Sequence, residues 1–250
     1  MKLRLIATIV AATSPALSAQ TPGKFPPDSL RNTRVIPHTT PVIDVIGTMR
    51  NFAGDLGVRC QFCHVGQEGE PLARFDFATD EKRTKLVARE MMRMVQQINA
   101  RLDTLPGRTA PGLQVTCATC HRGVSRPVPL STLLIEAGTG GGADSAVRLY
   151  RGLRERYYGR AAYDFGESSL NTAAFRLARA NHVDDGLKLL ALNEEYFPTS
   201  SGLSVFRGNI YLMRGDTTSA AAAYREAIKR DTTNEEARGR LRTIGRPPNH

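Results

Sequence analysis

Tryptophan is absent from the 250 residues, and aromatic residues make up only 6% of the chain. No basic stretch is interleaved with aromatic rings, so the stacking platform that single-stranded nucleic acid requires is missing. The net charge of +10 does not restore that reading, because the 34 Lys and Arg residues are spread along the chain without a block of like charge. No nucleic-acid partner is expected. Long apolar runs are also lacking: the run at residues 5–12 is shorter than the ~20 residues a membrane-spanning helix needs. Hydrophobic residues at 41% and charged residues at 23% exclude wholesale disorder and a multi-span membrane protein. Cysteine is scarce, with four in all.

The first 20 residues, MKLRLIATIVAATSPALSAQ, combine a basic start, a short apolar run and small residues around Ala16, Ser18 and Ala19. This pattern predicts a secretory signal peptide over residues 1–19. The expected location is periplasmic, with the mature chain soluble or peripherally associated with a membrane. In such an oxidising setting, disulfides are the first role to weigh for cysteine.

All four cysteines fall in two copies of one pattern, Cys60-Gln61-Phe62-Cys63-His64 and Cys117-Ala118-Thr119-Cys120-His121. C-x-x-C-H is the attachment signature of c-type haem. Two thiols three residues apart can form thioethers to the vinyl groups on one porphyrin edge, and the adjacent His then lies beneath the ring to ligate iron. Three other roles compete: a zinc site of four thiolates, a pair of redox dithiols, and structural disulfides. Each leaves the duplicated His unexplained. The reading is two covalently attached haem c groups, held by Cys60, Cys63, Cys117 and Cys120, with His64 and His121 on the irons.

A sixth ligand for each iron is sought among Met and His. Before the first motif, Thr40 and Pro41 open a predicted helix whose apolar face carries Val42, Val45, Ile46, Met49 and Ala53. A turn through Gly54 and Gly57 then leads to Cys60. Before the second motif, a longer helix is predicted from Asp80, as N-cap, to Asn99, with Val87, Met91, Met94 and Ile98 on one face. Met92 is turned about 100° from Met91. Methionines on an apolar stripe usually fill core, and here the same stripe could also cover a porphyrin. His38, in the Pro-rich approach to the first helix, is the rival sixth ligand, whereas His182 and His250 fit none.

The order of Met-bearing helix, turn and C-x-x-C-H, with LGVRCQFCHV at 56–65, VAREMMRMVQQIN at 87–99 and VTCATCHRG at 115–123, resembles the cytochrome c subunit of photosynthetic reaction centres over residues 35–130. In that family each such helix gives a Met to the haem of the following motif. The resemblance therefore implies Met49 with His64 on the first iron and Met91 with His121 on the second, Met94 being the fallback. The photosynthetic subunit has four haems, and this chain has motifs for two, like one half of that protein.

After Pro-containing residues 125–130, the stretch GTGGGAD at 138–144 reads as a linker. From Ser169 onward the chain resembles tetratricopeptide repeats at a period of 34, with Asn181 matching Gly215 and Leu190 matching Tyr224. Ala178, Gly208 and Ala220 are small residues suited to close helix crossings. The expected architecture is mainly α: a signal peptide at 1–19, a small helical multihaem cytochrome c domain at 20–130, a linker and leading helix at 131–168, and a helical repeat domain at 169–250. The expected function is electron transfer between redox partner proteins, a membrane-bound electron-transfer complex among the candidates, with a protein or peptide ligand on the repeats. A dihaem enzyme, a peroxidase or small-molecule reductase with one open iron, is the alternative.

Overall fold

The computed structural model describes residues 24–107 and 112–244, and their regular structure is helical, with one isolated bridge between Val65 and Asp76. The predicted signal peptide and His250 lie outside the described residues. No described helix is long and apolar enough to cross a membrane. The chain divides into two compact units: residues up to 53 with 58–115, and residues 54–57 with 116 onward.

The first unit holds most of α1 (Val42–Leu56), two single 3₁₀ turns at Cys60–Phe62 and Leu72–Arg74, and α2 (Arg83–Leu102). The helix predicted before the first motif is present. Its Pro41 carbonyl accepts from the amides of Asp44 and Val45, as a first-turn proline allows. The helix predicted before the second motif is present too, but it starts at Arg83, and Asp80 is not its cap. Asp80 instead accepts from Asn32 Nδ2 at 2.8 Å and ion-pairs with Arg89 and Lys85 at 2.9 and 3.3 Å. Those charge-assisted partners outbid a cap made only of amides. Among the described residues of this unit, only Val45 and Lys85 are buried.

The second unit begins with the last turn of α1. Gly123 N donates to Asp55 O at 2.8 Å, and a Cβ on Gly57, whose φ is 64°, would come within 2.0 Å of Gly123 O. Only glycine permits that approach. The short helix α3 (Cys117–His121) follows, then α4 (Leu130–Tyr157) and five further helices, α5 (Glu167–Arg179), α6 (Val183–Tyr196), α7 (Ser201–Met213), α8 (Thr217–Arg230) and α9 (Glu235–Ile244). Starts at 167 and 201, 183 and 217, and 201 and 235 each differ by 34 residues. Asn181 and Gly215, paired by that period, both turn between helices with positive φ, 68° and 81°. Leu190 and Tyr224, also paired, are both fully buried. Close crossings rest on small residues: a Cβ on Gly186 would meet Ala174 O at 2.6 Å, and one on Gly208 would meet the Tyr224 ring at 2.5 Å.

The stretch 138–144 is not a linker. It lies inside α4, where Gly141 and Gly142 break the helical path and the helix resumes at Ala143. Asp185 Oδ1 accepts from Ala143 N at 2.9 Å, so a carboxylate from α6 caps the restart. Gly138 packs so closely on Leu177 that a Cβ would lie 2.7 Å from its methyl. Leu130 and Leu134 are buried in the same core as Tyr150, Leu170, Leu177 and Leu189. That burial draws residues from 116 onward into the helical array, so the division falls after Val115 instead of after residue 130.

Candidate functional site

In the second motif, α3 sets the two thiols and the imidazole on one side of a single turn, since positions i, i+3 and i+4 share a helix face. Thr119, one of the two residues between the cysteines, accepts from Thr116 N at 3.0 Å and fastens the start of the turn. Arg122 ends it with φ 51°, and the chain doubles back so that the Val124 carbonyl lies 2.9 Å from His121 Nδ1. A carbonyl bonded to Nδ1 places the proton there and leaves Nε2 as a free lone pair, the tautomer a metal-ligating His adopts.

The first motif is a 3₁₀ turn, with Cys63 N and His64 N both donating to Cys60 O, at 3.2 and 2.9 Å. The start of α2 secures it: Lys82 Nζ donates to Gln61 O at 2.9 Å, and Thr84 Oγ1 donates to Phe62 O. His64 is sunk beside the Phe77 ring, their centroids 4.9 Å apart in an edge contact. Burial, helped by the cation of Lys85, lowers its pKa to about 4, against smaller raising effects of Asp76 and the Phe77 carbonyl. The imidazole is neutral at pH 7, and its buried Nδ1 lacks a well-formed hydrogen bond.

Burial raises the pKa of Cys63 and of Cys117. An activated redox dithiol needs the opposite shift. None of the four thiols is in a disulfide, and among the described residues no three His, Cys, Asp or Glu side chains converge on a metal-sized point. Each thiol pair therefore stands with its own His.

The methionines are placed on two kinds of surface. Met49 is half-buried, one turn beyond buried Val45 on α1. On α2 the face carrying Lys85, Ala88, Met92 and Val95 is the one turned into the unit, while Val87, Met91, Met94 and Ile98 are exposed at 44%, 41%, 44% and 36%. The apolar stripe is thus not polypeptide core. His38 bonds Thr33 Oγ1 through Nδ1 at 2.8 Å, and His182 lies 3.3 Å from Asp185.

Residues 60–140 match the family model of the photosynthetic reaction centre cytochrome C subunit. The matched segment opens on Cys60 and includes both C-x-x-C-H turns. A stretch of 70 residues is 41% identical to cytochrome c-554 of Chloroflexus aurantiacus, covering 28% of this chain and 14% of that relative's length.

The residues present fit a covalently held haem. A neutral imidazole stands beside paired unoxidised thiols, and a broad apolar stripe offers a surface of the right chemistry for a porphyrin face. Sequence reasoning missed Phe77 and Lys85, which flank His64, and Lys82 and Thr84, which fasten the backbone of its motif. Nothing local marks them, because their partners lie between 6 and 22 residues away.

Proposed function

We propose that this chain is an exported two-haem c-type cytochrome that carries electrons between redox partner proteins, with a C-terminal tetratricopeptide-like array for docking. The observation that carries the reading is the pair of C-x-x-C-H turns, each presenting two free thiols and an imidazole on one side. Cys60 and Cys63 would hold the first haem and Cys117 and Cys120 the second, each S–H adding across a vinyl so that no atom is lost. When bound, haem supplies an iron that gains and releases one electron. His64 and Met49 would ligate the first iron and His121 and Met91 the second, Met94 being the fallback. Such ligation leaves no open position for a small substrate, which favours electron transfer over the enzyme reading. Val124 and Phe77 orient the two imidazoles, and the thioethers prevent loss of cofactor outside the cell. The 34-residue periodicity of the helices supports the repeat assignment.

The test is the mass and reduced absorption spectrum of denatured protein from an export-competent host with haem maturation machinery. Two haems should remain attached. A chain without bound haem would end the electron-transfer reading.

A further inference from the structure

Lys85 is the only buried charged residue among those described, with a side chain 11% exposed on α2. Its ammonium meets three successive carbonyls, Phe77 O at 2.9 Å, Ala78 O at 3.1 Å and Thr79 O at 2.7 Å, so each of its protons has an acceptor. Backbone carbonyls repel one another when they converge, and a cation with three donors is what allows the chain at 77–79 to turn them inward together. Asp76 braces the same turn from the other side, accepting from Ala78 N and Thr79 N at 2.8 and 2.9 Å. The product of this turn is the position of Phe77, whose ring touches the His64 imidazole edge-on and packs on Phe75 and Phe25 at 5.7 and 5.5 Å.

Resting on the two-haem reading, we infer that Lys85 is a positioning residue for the first haem: it holds Phe77 against the ring of His64 and places a fixed positive charge near that ligand. Lys85 and Arg89 face Asp76 and Asp80 within this cluster, and Lys82 lies on the motif's backbone, so removing Lys85 takes one positive charge from beside the imidazole. Oxidised iron carries one more positive charge than reduced iron, and a neighbouring cation disfavours it. Lys85 therefore raises the reduction potential of the first haem, as outer-shell groups tune the metals they surround.

The experiment compares K85M, K85R and F77L in the exported full-length protein by spectroelectrochemical titration and by electron paramagnetic resonance of the oxidised haems. K85M should leave one haem about tenfold less reduced at a fixed potential, a lowering of about 59 mV for a one-electron couple. The second haem should keep its potential. K85R should restore most of the shift by returning the charge. F77L should move the resonance g values of the same haem, because the imidazole is freed to rotate. K85M protein with both haems attached, and with neither potential nor g values moved, overturns the inference. Should K85M fail to accumulate with haem, F77L decides: unmoved g values overturn it. Wild-type protein that lacks two haems by mass fails the proposed function itself, which separates the two results.

Discussion

His121 and His64 reach a ligating state by different residue-scale routes. The first is aimed by the Val124 carbonyl 2.9 Å from Nδ1, whereas the second is kept neutral by burial beside Phe77 and by the Lys85 cation. On the proposed function Met49 is the second ligand of the first iron; it is the single sulfur of α1, half-buried one turn after Val45. Replacing it tests that assignment directly. M49A should bind added carbon monoxide at one of its two reduced haems, with both haems still attached by mass, while the wild-type protein binds none. A carbon monoxide spectrum identical to wild type would remove Met49 from the iron.

At the scale of elements, α2 has two working faces. Its Lys85, Ala88, Met92 and Val95 side is turned into the first unit, and the neighbouring stripe of Val87, Met91, Met94 and Ile98 is left exposed. The 34-residue array is held instead by small residues at crossings and by an ion cluster in which Glu194 bridges Arg207 at 2.5 Å and Arg230 at 2.6 Å. Burial alone would raise the Glu194 pKa, but the two guanidiniums outweigh it and hold the carboxyl below its ordinary range. A depressed folded pKa means that this stabilisation is full above the unfolded value of about 4.3 and fades as pH falls through the folded one. E194Q should lower Tm at neutral pH by about 2–4 °C, the shift that ~1 kcal/mol gives in a domain of this size. The wild-type and variant Tm curves should converge below pH ~4. Curves that stay parallel on acidification would show that the cluster contributes nothing.

For the molecule as a whole, the buried apolar residues are divided unequally. The second unit has a continuous core running from Leu130 to Ile210 and a further cluster around Tyr224, while the first unit, among its described residues, buries one aliphatic side chain, Val45. Ordering a residue costs on the order of 1–2 kcal/mol, and a single aliphatic burial returns only about 1.5–3 kcal/mol. On the proposed function, the first unit is therefore expected to draw its stability from its attached haem, and the array of the second unit from its own core. In full-length C60S/C63S protein, amide exchange should be fast through residues 24–107 and remain slow in α5 to α8. Protection of both regions in that variant would show that the polypeptide of the first unit stands alone.

Much of the site was legible in sequence because its chemistry is local. Two thiols and an imidazole at i, i+3 and i+4 share one turn of chain, so the spacing alone brings them together. Met49 and the α2 stripe were equally visible from periodicity, as was the 34-residue recurrence, since each reflects helical geometry within a few turns. Other features depended on residues that meet only after folding. Asp80 read as a helix cap until Asn32 and Arg89 claimed its oxygens, and the glycines at 138–144 read as a linker until Leu177 and Asp185 packed over and capped them. The exposure of the Met91 stripe was likewise open, because a helical period shows that a face is apolar but not what covers it. Lys85 carried no local signal at all: a lysine on a helix is ordinarily solvated, and only the convergence of three carbonyls from residues 77–79 makes its burial favourable.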